Sequence, residues 1–290
     1  MRAPHPIVLL LAGGASVQFG AAFATQLFDR AGPGGTVLLR VGLSALMLLA
    51  ITRPSLRGRS RSDRLAVLAF GLSLGFMNWT FYECLSRMPL GPAVTIELLG
   101  PLVLAVVLSH RRIDLLWVTL AVGGVVLLAF RSEGDSGDGK HVSALGVVLA
   151  LVAGTLWVCY ILLNKRVGAA FSSLDGLAIA LVVAAIVVLP IGIVQGGTHL
   201  FTPSVFFVGL AVAVLSSLVP YSLELLALRR ISAATFGLLM SLEPALATLA
   251  GILVLGQSLT ALLAVAIVMV IAASVGTTYT APKPLPVALE

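Results

Sequence analysis

Apolar residues in this chain neither alternate nor fall on one helical face. They run in long blocks separated by short polar corners, the pattern of helices that are apolar on every side. The blocks cover residues 7–28, 34–52, 65–86, 91–109, 115–130, 146–164, 174–195, two runs within 215–256, and 260–278. Their lengths suit a bilayer, so the pattern predicts an all-α integral membrane protein with ten transmembrane helices.

Polar exceptions inside the blocks carry the chemistry. The two runs of 215–256 flank Arg229-Arg230, and each holds one proline and one carboxylate: Pro220 with Glu224, then Glu243 with Pro244. A carboxylate at bilayer depth costs about 2.5 to 3.5 kcal/mol, so each is a candidate functional group. Proline has no N–H, which frees the carbonyl four residues earlier: Ser216 for Pro220 and Met240 for Pro244. Unpaired backbone at membrane depth is tolerated where it is buried in protein or lines a wet cavity. Tyr221 sits beside the first of these prolines and joins the candidates.

An earlier segment repeats this arrangement. With an offset of 143, residues 72–109 align on the second half without a gap, so that Ser73 meets Ser216, Arg87 meets Arg230 and Pro101 meets Pro244. Pro101 frees the carbonyl of Glu97 as Pro244 frees that of Met240. Interrupted apolar segments at corresponding places in two halves are the sequence pointer to a transporter binding site. The predicted organisation is a first five-helix repeat over 1–130, an external polar linker over 131–141, a second repeat over 142–278 and a disordered cytoplasmic tail over 279–290.

Other polar positions in the spans have two explanations each. Gln18, in the first span, suits an interhelical hydrogen bond or a substrate contact. Arg40 could snorkel to the interface or act as a fixed cation for an acidic group. Asn78 and Tyr82 lie four apart and share a helical face, while Glu83 falls near the membrane surface, where water can hydrate it. Trp157 and Tyr160, three apart, fit packing, interface anchoring or a pathway wall. Gly71 and Gly75 form a small-x-x-x-small pair that permits close helix approach. Ala22-Phe23-Ala24 imitates a signal-peptidase site, but the run is long for a signal segment and has a counterpart in the second half, which predicts a retained helix.

Composition narrows the classes further. Of the 290 residues, 59% are hydrophobic and 10% charged, with mean hydropathy +1.10, which excludes water as the main solvent. The net charge of +6 does not indicate nucleic acid, because the basic residues lie in short corners without a basic, aromatic-interleaved module. Those corners (Arg2, the arginines of 53–64, Arg111-Arg112, Lys165-Arg166, Arg229-Arg230 and Lys283) all fall on one side of a ten-span chain. By the positive-inside rule that side is the cytoplasm, with both termini in it. An odd number of spans per half then inserts the repeats in opposite orientations. The acids of 131–141 lack the spacing of a calcium loop, and Cys84 and Cys159 within apolar runs read as packed thiols. No H-E-x-x-H, G-x-S-x-G or P-loop appears, so the chain is not read as an enzyme and needs no cofactor or metal.

The stretches S-L-G-F-M-N-W-T-F-Y, P-L-G-P-A-V-T-I-E-L-L-G-P-L, L-S-S-L-V-P-Y-S-L-E-L-L-A-L-R-R and T-F-G-L-L-M-S-L-E-P-A-L-A carry a family resemblance. With them the chain resembles, over nearly its whole length, the bacterial inner-membrane threonine and homoserine exporters of the EamA-type ten-helix branch of the drug/metabolite transporter superfamily. It departs from the superfamily pattern at Gln257, where a glutamate commonly follows the glycine. The resemblance implies efflux of small neutral amino acids coupled to protons. Glu97, Glu224 and Glu243 are then candidate proton carriers or partners of a substrate ammonium. The carbonyls of Glu97 and Met240 are further acceptors for that ammonium, and Arg40 is a holder of the substrate carboxylate. A carrier of the same fold with another cargo, such as other amino acids, nucleosides or drug-like cations, is the alternative. The 7% aromatic content weighs against a broad aromatic cargo. A homodimer is compatible with small-x-x-x-small pairs such as Ala247 and Gly251, which serve internal packing equally well.

Overall fold

The computed structural model describes residues 6–109, 112–129, 140–171, 174–220, 223 and 240–280. Tyr221, Glu224, the Arg229-Arg230 corner, most of the 131–141 linker and nearly all of the 279–290 tail lie outside the described residues.

All regular structure among the described residues is helical. The order is α1 (Pro6–Thr25), α2 (Phe28–Thr52), α3 (Arg61–Leu85), α4 (Leu90–Glu97), α5 (Leu99–Ser109), α6 (Arg112–Ala129), α7 (Ala144–Ala170) and α8 (Asp175–Gly196). A 3₁₀ segment (Gly197–Phe201), α9 (Pro203–Ala213), a π-helical turn (Val214–Leu218), α10 (Glu243–Leu255) and α11 (Ala261–Thr280) follow. Among the described residues, five helices are long and apolar enough to cross a membrane: those at Ile7–Thr25, Phe28–Thr52, Arg61–Leu85, Ala144–Ala170 and Asp175–Phe201. Shorter apolar helices occupy the other places where the hydrophobic blocks predict spans.

Local chemistry sets the ends. Ser60 accepts from the Asp63 N–H and the Asp63 carboxylate accepts from the Ser60 N–H, a capping box that starts α3. Ser143 Oγ likewise accepts from the Gly146 N–H at the start of α7. Gly256, at φ 65°, closes α10 in the left-handed region. The second span begins earlier than the block 34–52 predicts. Helical residues from Phe28 join it across a break at Gly32, φ 64° and ψ 168°, just before Pro33.

The breaks expected from the prolines are present. Leu98 is a turn between α4 and α5, three residues before Pro101; Ser241 and Leu242 form a turn just before Glu243-Pro244. With the offset of 143, Leu98 corresponds to Ser241, so both halves interrupt the helix at one register position.

Packing is by small residues. The pair Gly71 and Gly75 abuts α8 as the sequence predicts: a Cβ at 75 would lie 3.1 Å from the Ala184 Cα. Gly100 and Gly154 bring the α4–α5 break onto α7 so closely that a Cβ at 100 would strike the Gly154 backbone and one at 154 the Glu97 carbonyl. Elsewhere α2 packs on α8, α3 on α7 and α8, α9 on α1 and α2, α1 and α4 on α10, and α6 on α11. Polarity is reversed relative to a protein in water. Gln18, Arg40, Ser44, Asn78, Glu97, Ser216, Ser217 and Glu243 are buried, whereas Leu46, Ile51, Val107, Leu115, Ile186 and Val194 are exposed. Cys84 is a packed thiol as expected; Cys159 is not, because its face of α7 points outward.

Two glycines of α7 test this packing. A Cβ at 154 would lie 2.5 Å from the Glu97 carbonyl oxygen, whereas nothing lies within 4 Å of one at 168. Gly154→Ala is expected to lower the melting temperature in detergent, at about 1 to 3 kcal/mol. Gly168→Ala is expected to leave it unchanged or raise it slightly. Equal melting temperatures for the two variants would contradict the close contact of α7 with the break between α4 and α5.

Candidate functional site

The site is built around Arg40, in the middle of α2 and only 7% exposed. Its guanidinium does not snorkel. Nη2 donates to the Ser216 carbonyl at 2.9 Å, Nη1 to the Tyr82 hydroxyl at 3.2 Å and Nε to Ser217 Oγ at 3.3 Å. It also lies 5.5 Å from the centre of the Tyr82 ring. The Ser216 carbonyl is the one that Pro220 frees, so the missing proline N–H is replaced by the arginine.

The π-helical turn makes more such acceptors. Its wider winding sends the Val219 N–H to the Val214 carbonyl. The first helix then occupies a displaced carbonyl, Ser16 Oγ donating to Leu215 at 2.6 Å, while Ser44 Oγ donates to the Arg40 carbonyl at 2.6 Å and lies 3.2 Å from that of Ala213. Gly20 permits the approach of α1, since a Cβ there would collide with Ser216 Oγ.

Two carboxylates complete the cluster, each at a helix break. Glu97 is the last residue of α4 and Glu243 the first of α10, 9% and 7% exposed. Glu97 lies within electrostatic reach of both Glu243 and Arg40. Gln18 Nε2 donates to Glu243 Oε2, which ties α1 to the second break. The carbonyl of Glu97, freed by Pro101, faces Gly154, and Met240 immediately precedes the turn at Ser241. Glu97, Glu243, Arg40, Gln18 and Tyr82 are therefore brought together from α4, α10, α2, α1 and α3.

Other candidates stand apart. Asn78 shares its face with Tyr82, but its Nδ2 turns back to the Leu74 carbonyl at 2.8 Å. Tyr160 stacks 5.1 Å from Phe70, within the apolar cluster of Val67 and Phe171. Trp157 is half-buried on α7. An apolar cavity of about 490 Å³ between α2, α8 and α9, lined by Leu39, Gly42, Leu46, Ile186, Leu189 and Phe206, offers no charged group to a zwitterion.

Glu83, read from the sequence as a hydrated surface group, is buried. Its Oε2 lies 2.5 Å from Arg87 Nη1 and its Oε1 accepts from Gln195 Nε2 at 2.9 Å. Gln195 Oε1 in turn accepts from the Gly34 N–H at 2.6 Å, and Lys140 Nζ donates to the Leu85 carbonyl at 2.8 Å. This network ties α2, α3 and α8 at one end of the bundle. The i, i+4 spacing of Glu83 and Arg87 was its signal in the sequence.

Arg40→Lys replaces a planar fork by a point donor that cannot meet three separated acceptors. The expected cost is about 1 to 3 kcal/mol of stability, read as a lower melting temperature. Tyr82→Phe removes one acceptor and is expected to cost less, about 0.5 to 1.5 kcal/mol. An Arg40→Lys protein that melts with the wild type would contradict the clamp.

Comparison with known proteins agrees with this architecture. The profile of the EamA-like transporter family matches residues 144–279. The threonine/homoserine exporter RhtA of Escherichia coli K12 is 44% identical over 278 residues, covering 96% of this chain and 92% of that protein. The protein of the same name from Salmonella typhimurium LT2 is 44% identical over 275 residues, 95% of this chain and 92% of its own. A crystal structure at 17% identity superposes with a TM-score of 0.63 over 94% of this chain and 97% of that one, a likeness of fold. On the strength of this identity over almost its whole length, the chain belongs to the EamA-like transporter family.

Proposed function

We propose that the chain is a secondary transporter that exports small neutral amino acids of the threonine and homoserine type across the inner membrane, in exchange for protons. The observation that carries this is the meeting of Glu97, Glu243 and Arg40 at two helix breaks inside the bundle. An amino acid carries one ammonium and one carboxylate. The two carboxylates suit the first, and the guanidinium, held against the π turn, suits the second. A proton and a substrate ammonium are alternative cations for the same carboxylates, so the arrival of one favours departure of the other. The names of the relatives support the cargo.

The proposed architecture is ten spans in two inverted five-helix repeats, 1–130 and 142–278, joined by the linker 131–141, with both termini and the 279–290 tail cytoplasmic. The equivalent breaks at Leu98 and Ser241 support it. So does the packing, in which α3 lies on α8 as α9 lies on α2. Both pairings join the third span of one half to the second span of the other.

Counterflow in proteoliposomes is the test. Vesicles loaded with unlabelled threonine are expected to accumulate labelled threonine, and an imposed pH gradient to shift the accumulation. Glu97→Gln and Glu243→Gln are each expected to slow exchange about tenfold or more, equivalent to about 1.4 kcal/mol, and to weaken its pH dependence. Normal rates and pH dependence in both variants would remove the proton-carrier role. No accumulation by the inserted wild type would remove the cargo.

A further inference from the structure

Among the described residues, three fully buried side-chain polar atoms have no hydrogen-bond partner: Gln18 Oε1, Trp79 Nε1 and Ser216 Oγ. Buried polar atoms are nearly always paired, so each calls for a physical explanation. Ser216 Oγ is sealed by the close approach of Gly20. Trp79 Nε1 belongs to a ring packed on the apolar core beside Phe76. Gln18 is different, because its other amide atom is bound to a candidate substrate-binding carboxylate.

The orientation of that amide is fixed by chemistry. While Glu243 is ionised it only accepts, so in that state the NH₂ of Gln18 must face it and the carbonyl oxygen must point away. Oε1 is therefore an acceptor that waits for a donor, beside the carboxylate that suits a substrate ammonium. Gly14, four residues earlier on the same face of α1, lets that helix come close to Glu243 and Leu246 of α10. A Cβ there would lie 3.2 Å from Glu243 Oε1.

We infer that Gln18 is a specificity-determining residue whose Oε1 accepts the side-chain hydroxyl of a hydroxylated small amino acid bound through its ammonium at Glu243. The inference rests on the amino-acid exporter reading above and deepens it. The hydroxyl of threonine or homoserine stands only two or three bonds from the Cα that bears the ammonium, so one cargo can reach both groups. An analogue lacking the hydroxyl leaves Oε1 unpaired. Sites built to bond a hydroxyl discriminate against such analogues much more sharply than sites that sense size alone.

The experiment is counterflow with paired cargoes: threonine against valine, which carries a methyl in place of the hydroxyl, and homoserine against 2-aminobutyrate. In the wild type, uptake efficiency for the hydroxylated member is expected to exceed that for its partner by about 5- to 150-fold. In Gln18→Met, similar in length but without an amide, the ratio is expected to fall close to one, chiefly by loss of the hydroxylated cargo. A wild type that moves both members of each pair equally overturns the inference and leaves the exporter reading intact. An unchanged ratio in Gln18→Met also overturns it. A wild type that moves none of the four overturns the exporter reading and this assignment with it. A wild-type ratio near one overturns the inference even where the variant does not insert.

Discussion

A guanidinium in the middle of an apolar bundle must find hydrogen-bond acceptors, and regular helices have none to spare because each carbonyl already serves its own backbone. In this chain α9 supplies them by ceasing to be regular. The π-helical turn and Pro220 together release the carbonyls of Leu215 and Ser216, and Ser16 and Arg40 fill the places. Much of the neighbouring structure follows from that requirement. The first helix needs Gly20 to come close enough, the second needs Arg40 at mid-length, and the third brings Tyr82, fully buried, under the guanidinium.

The carboxylates obey a related constraint. Each sits where its helix is interrupted, and each break has a close partner made possible by glycine: Gly154 against the Glu97 carbonyl and Gly14 against the Glu243 carboxylate. The breaks thus combine two things that lipid would not tolerate, an ionisable side chain and a disturbed backbone. Both are held inside protein, while leucine, valine and isoleucine cover the outside. In the Glu83 network at the end of the bundle, both carboxylate oxygens are likewise paired, one with Arg87 and the other with Gln195.

Most of the fold was legible in the sequence because hydropathy in lipid is a nearly one-dimensional signal. The apolar blocks locate the helices, and Pro101 and Pro244 locate the interruptions at Leu98 and Ser241-Leu242. Helix ends were less legible. The early start of α2 depends on Gly32, whose positive φ lets a short turn precede Pro33.

The sequence by itself determined that helices fill the chain, that prolines free the carbonyls of Glu97 and Ser216, and that Glu97, Glu243 and Arg40 are out of place in lipid. These follow from covalent chemistry and from the cost of charge in an apolar medium. Only the tertiary structure decided the partners. Arg40 had two outcomes, snorkelling or fixation, and the choice went to the π turn of α9, 176 residues away from Arg40 at Ser216. Gln18 likewise found Glu243, 225 residues on, whereas Asn78 found its own helix and Tyr160 found Phe70. A polar side chain in a span must pair with something, but which group it meets depends on how helices distant in sequence cross, and local pattern does not encode that crossing.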